Sequence, residues 1–511
     1  MAHPSRTLTA ALLLAISTSP LAAQAEHDHG HPATVGRVAF QTGCAPALQQ
    51  RFEAAVALLH SFWYEEAGRA FEALGREDST CALAHWGAAM SRLHPLWVPP
   101  TDAEQAAGLA AAERAVRHSR PGTRERAYAD AIHGFFEAGT PRDFRSRIFA
   151  WESAMAGVAR RYPRDDEARI FHGLALIAAG QLDARDTTYR RQREAAGELV
   201  PLIARYPDHP GLTHYVIHAY DSPALASLAL SAAQQYAGIA PAVPHALHMP
   251  SHIFVRLGRW RDAVASNERS AAAARQAEVS AGWTGAWTQR LHALDYLAYA
   301  HLQLGEDSAA RELVAQVAQV TEMQPQPDLV GYYAVAAIPA RYALERDDWE
   351  AASTLEVRPA PGWRGAEALS HFARAIGAAR RGDRAAAETE AGALQAIAEA
   401  LRQAGGPQAY WADQAANQRL EAEAWIALLR GDTTAALAQA RAAADTEDGT
   451  EKHPVTPGAV LPARELYADL LLQVGRRREA AVNYRATLAR QPNRLRAQRG
   501  LALAEGRAAN D

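Results

Sequence analysis

Six of the chain's twenty histidines fall between positions 209 and 252: His209, His214, His218, His245, His248 and His252. Neutral imidazole is a good ligand for zinc, copper, iron or nickel, so a dense run of it raises metal chemistry first. The spacings suit helices. At 100° per residue, His214 and His218 lie about 40° apart on one helix face, and His245, His248 and His252 fall within about 60° of each other. Tyr215, Tyr220 and Asp221 are close enough in sequence to orient the rings. Pro250 interrupts the second set. It either kinks a helix between His248 and His252, or precedes a helix that starts late with Ser251 as its N-cap. The competing reading of the same residues is a polar packed groove in which each ring bonds a carbonyl or carboxylate.

Other histidines, His60, His85, His133, His172 and His292, sit on segments with the same helical pattern. Trp63, Trp86, Trp97 and His94 read as core aromatics, and Glu65 and Glu66 as solvated neighbours. The chain has no His-Glu-x-x-His, no Gly-x-Ser-x-Gly and no phosphate-cradling glycine loop. Two cysteines exclude a Cys-x-x-Cys-His haem attachment on arithmetic alone beyond a single site, and no such motif is present. No catalytic residue can be named from motifs.

What must hold these side chains is helical. From about residue 47 onward Ala, Leu, Arg, Glu and Gln dominate, with apolar residues three and four apart. The fold class expected is all-α. A signature recurs in which Gly is followed five residues later by Ala: Gly258/Ala263, Gly305/Ala310, Gly382/Ala387, Gly431/Ala436 and Gly475/Ala480. Gly ends one helix in the left-handed region at low cost. The small Ala lets the next helix cross closely. Tyr64-Glu65-Glu66-Ala67 and Trp349-Glu350-Ala351-Ala352 are variants without the Gly, and Pro163, Pro207, Pro241 and Pro492 stop second helices.

This pattern resembles the tetratricopeptide (TPR) repeat, best in Gly475–Ala480 with Tyr484 and Gln491-Pro492-Asn493, and nearly as well around Gly258–Ala263. Several neighbouring signatures are roughly 44 to 49 residues apart, longer than the usual 34, so the units are degenerate. At whole-chain level the sequence is similar to exported bacterial TPR proteins of unassigned role. The likeness is carried by Leu59–Ala67, His85-Trp86-Gly87, His245–His252 and Glu451–Gly458. The resemblance implies a right-handed superhelix of antiparallel helix pairs, an α-solenoid, whose first helices line a concave groove. In that register the two histidine sets lie on neighbouring first helices, and His214, His218, His245, His248 and His252 would share one pocket.

Residues 1–25 read as a secretory signal peptide, with Ala23-Gln24-Ala25 as a small-x-small cleavage site. The expected location is therefore exported, periplasmic or secreted. In an oxidising compartment Cys44 and Cys81 most simply pair, with two free thiols or metal ligands as the alternative. Residues 26–46 form a His-bearing N-terminal segment, 47–322 the N-terminal repeats with the histidine cluster, and 323–511 the C-terminal repeats. The stretch from Asp445 to Pro462 is too long for a repeat turn and reads as a loop folding back on the groove. Net charge is −4, which excludes a strongly basic nucleic-acid footprint, and no later stretch is long and apolar enough to span a membrane. Two functions follow. One is a periplasmic scaffold binding a protein or peptide in its groove. The other is a metal-dependent protein, enzyme or carrier, centred on the histidines and holding zinc, copper or iron. Oligomeric state is not legible.

Overall fold

The computed structural model describes residue 1, residues 35–137 and residues 143–507. The expected leader and the His-bearing tail at 27–31 lie outside the described residues. The chain is an all-α, TPR-like solenoid of helical hairpins, each helix packing on its neighbours in sequence. Among the described residues the one ladder is a parallel pair, Ala286–Trp287 with Met323–Gln324, too short to form a layer.

The hairpin signature works as its chemistry requires. Gly258, Gly305, Gly382, Gly431 and Gly475 all have positive φ, and Ala263, Ala310, Ala387, Ala436 and Ala480 are fully buried. The two variants keep the same geometry with other residues. Asp347 (φ 54°) stands five positions before buried Ala352, and Phe62 (φ 56°) five before buried Ala67. Non-glycine residues in this region cost backbone energy, so Phe62 must be held there by what its ring touches.

Pro250 interrupts a nearly continuous helix. Pro244–His248 and Pro250–Arg256 are joined through Met249, whose own backbone is helical (φ −52°, ψ −36°). Ser251 is therefore inside the second piece and is not its cap. Its hydroxyl turns to Asn267.

The long stretch before Pro462 does fold back. Tyr296 Oη bonds the Pro454 and Thr456 carbonyl oxygens at 3.2 and 3.1 Å. The fully buried Arg341 donates to the Ala459 and Gly458 carbonyls at 2.8 and 3.1 Å. This strap lies against the helices that carry the histidines. No helix among the described residues is long and apolar enough to cross a membrane.

Candidate metal centre

All five expected histidines come together, joined by a sixth, and they sort into two triads: His214, His218 and His245, then His248, His252 and His292. The first triad takes an i,i+4 pair from one helix, the second an i,i+4 pair across the Met249 junction of two helices, and each adds a third ring from a neighbour. His214 and His218 lie on Pro210–Tyr220, His245 and His248 on Pro244–His248, His252 on Pro250–Arg256, and His292 on Thr288–Gln303. In the first triad, Nε2 of His214 is 3.1 Å from Nε2 of His218 and 3.2 Å from Nε2 of His245. In the second, Nε2 of His248 is 3.0 Å from Nε2 of His252. Two nitrogens held at about 2.0–2.1 Å on a tetrahedral ion are about 3.3 Å apart, so these separations are close to those of co-ligands. The triads are neighbours: ring centroids of His218 and His252 are 6.0 Å apart, those of His245 and His248 6.1 Å.

The outward nitrogens decide the protonation. His248 Nδ1 lies 2.6 Å from Asn267 Oδ1, and the Asn267 amide nitrogen donates to the Ala263 carbonyl, which fixes the amide so that its oxygen faces the ring. His248 therefore donates through Nδ1–H. His252 Nδ1 donates to Asp221 Oδ2 at 2.8 Å, and His214 Nδ1 to the His60 carbonyl at 2.7 Å. A neutral ring protonated at Nδ1 has a bare lone pair at Nε2. His248 and His252 thus aim two lone pairs at each other across 3.0 Å. A proton is disfavoured between them, because burial pushes both rings below the ordinary histidine value. Burial likewise depresses His214, to about 3, and His218, His245 and His292. In His214, His248 and His252 the lone pairs point inward and the Nδ1–H groups are tied outward, the arrangement of metal-ligating histidine.

Asp221 is the main anchor. Burial alone would raise its carboxyl, but Lys452, Arg256 and His252 hold it well below the usual carboxylate range. Lys452 Nζ lies 3.0 Å from Asp221 Oδ2, and Arg256 Nε 2.8 Å from Oδ1. Arg256 also reaches Glu451 at 3.1 Å. The strap is thereby tied to the carboxylate that orients His252. Phe62 floors the first triad, with its ring centroid 4.4 Å from that of His214 and 5.6 Å from those of His218 and His245.

A further group, His60, Glu167 and His209, has another chemistry. Glu167 accepts from His209 Nε2 at 2.8 Å and from His60 Nε2 at 3.0 Å, and His60 Nδ1 meets Tyr215 Oη at 2.9 Å. Both ring protons have an acceptor, so no ion is needed. The Tyr215 hydroxyl is committed to His60, while its ring lies 5.4 Å, centroid to centroid, from that of His214.

A chamber of about 30 Å³ borders both triads, touching His218, His245, His252 and His292. His453 of the strap also lines it. The Val455 N–H donates to His453 Nδ1 at 3.2 Å, and burial with Lys452 beside it pushes the ring down to about 3, so the neutral ring carries its proton on Nε2. Beyond it lies a cavity of about 470 Å³ that shares Trp97, His218, His453 and Pro454.

The site was partly visible in sequence. Of the three residues expected to orient the rings, Asp221 bonds His252, while Tyr220 has no contact with a triad ring among the hydrogen bonds described. His292 stood outside the expected five because it lies on the next hairpin. Its place on a first-type helix was the available signal. Asn267 and the His60 carbonyl left no trace in residue type. Cys44 and Cys81 are bonded to each other.

No protein-family model and no curated protein matches this chain. Among solved structures it is similar to the Cut9–Hcn1 hetero-tetramer of the APC/C, at 12% identity and TM-score 0.35, covering 89% of this chain and 76% of that one. It is also similar to the P58(IPK) TPR domain, at 12% identity and TM-score 0.22 over 90% and 98% of the two chains. A third is Naa15/Naa10 bound to HypK-THB, at 12% identity and TM-score 0.21 over 89% and 65%. Overlaps at these TM-scores carry no argument, and the architecture rests on the hairpins themselves.

Proposed function

We propose that the protein is a metal-dependent enzyme holding two transition-metal ions, one in each histidine triad. The observation that carries this reading is the pair of facing Nε2 lone pairs on His248 and His252, whose Nδ1 protons are committed to Asn267 and Asp221. A cation between them removes the repulsion. All-imidazole ligation suits zinc, copper or iron. Three protein ligands per ion leave a coordination position open, as catalysis needs and a closed storage site does not. Its working location is outside the cytoplasm, a reading supported by the leader-like residues 1–25 and the Cys44–Cys81 bond. A second reading, a scaffold that meets protein partners, is supported by the stacked helical hairpins.

The test is elemental analysis of the full chain carrying H27A, H29A and H31A, after loading with copper, zinc or iron and removal of loose metal. About two equivalents of one metal are expected. H214A/H218A and H248A/H252A should each lose one equivalent while circular dichroism stays helical. Absence of retained metal, or variants with undiminished content, overturns the reading.

A further inference from the structure

We propose that the 30 Å³ chamber between the triads is the coordination site for an exogenous ligand of two or three heavy atoms, and that His453 donates a hydrogen bond to it. This rests on the two-metal reading above. Three observations converge. The chamber touches rings from both triads, His218 and His245 of the first and His252 and His292 of the second, so a ligand inside it is within reach of both sites. Its volume of about 30 Å³ holds roughly two water-sized centres, since one water needs about 10–15 Å³ by the same measure. Only the tip of a larger molecule would fit within it, the rest lying in the 470 Å³ cavity that shares Trp97, His218, His453 and Pro454. His453 shares the chamber but differs in its tautomer from His214, His248 and His252, the three rings whose Nδ1 bonds define one. They present lone pairs where their outer bonds define them, whereas His453 has its Nδ1 occupied by the Val455 N–H and carries the donor on Nε2. Its ring is packed against Tyr410 and Trp411, at centroid distances of 5.8 and 5.3 Å, so its direction is fixed. A fixed donor beside two open coordination positions is suited to an anionic or strongly polarised small ligand.

The probe is sodium azide, titrated into the copper(II)-loaded full chain and followed by its charge-transfer absorption. Wild type is expected to bind azide. H453F keeps a ring against Trp411 but has no donor. It should retain two coppers and bind azide about tenfold more weakly, the size of one charge-assisted hydrogen bond. H453Q, which keeps a donor, should lie within about threefold of wild type. Azide binding by H453F equal to that of wild type overturns the role of His453. Two bound coppers that ignore azide overturn the ligand site while leaving the metal centre standing, and failure to retain copper removes both.

Discussion

The backbone oxygen of His60 lies 2.7 Å from Nδ1 of His214, across a sequence separation of 154 residues. The first described hairpin therefore orients a ring of the first histidine triad through its main chain. The His60 ring is meanwhile locked by Glu167 and Tyr215. Mutations in this network should reach the metal without touching a ligand.

Glu167 gives that network a pH signature. Burial raises its carboxyl, but His209 and His60 beside it bring it down to about 2. Its folded value lies below the unfolded one, so its contribution is complete above about pH 4.5 and is lost as pH falls towards 2. E167Q should be less stable than wild type at pH 7 by on the order of 3 kcal/mol, and the gap should close below pH 4.5. Urea denaturation across that range checks it. A gap unchanged down to pH 3 contradicts the assignment.

Asn267 tests the outer hold on one triad. N267A removes the acceptor for His248 Nδ1–H and frees the ring to change tautomer. One of the two metal equivalents should weaken by about 10–100-fold, and the other should be unaffected. Competition with a chelator of known affinity separates the two. Equal weakening of both would show that Asn267 acts on the whole fold.

Phe62 makes an unusual prediction of rank. Replacing its buried ring with alanine should cost about 3–5 kcal/mol. At φ 56°, however, glycine is at home and alanine is strained. F62G should therefore be more stable than F62A by about 1 kcal/mol. Thermal or urea unfolding measures the order, and the reverse order would rule out the left-handed backbone.

The Cys44–Cys81 bond spans a sequence separation of 37. C44S/C81S should lose about 4 kcal/mol on the chain-entropy estimate, with reductant lowering the urea midpoint of wild type but not of the variant. A midpoint insensitive to reductant in wild type would mean that the bond does not form.

Much of this was legible in local pattern. The five glycines and their alanines fixed the hairpin turns because a left-handed residue and a close helix crossing each demand a particular side chain. The i,i+4 spacing of His214 with His218, and of His248 with His252, placed each pair on one face. What composition could not reveal was which elements pack together. His292 joins through a hairpin contact, Asn267 through the fold of the Trp260–Ser280 helix over Pro244–His248, and the His60 carbonyl through main chain alone. Phe62 escaped the glycine pattern because tertiary contacts, not residue type, hold it in the left-handed region, whereas Asp347 is a residue type that visits that region on its own. The division of five expected ligands into two sets also needed the Nδ1 partners, which only the folded chain supplies.

Lys452 is the chain's one lysine, and it holds the strap to Asp221. Its side chain is 11% exposed, and burial brings its amine down to about 8. Amine-directed reagents thus find a single side-chain target, shielded while the strap is seated and reachable, with the ordinary lysine value restored by solvent, once it lifts. The rate at which that one nitrogen is acylated becomes a clock for opening of the chamber, readable by peptide mass without any label added to the protein.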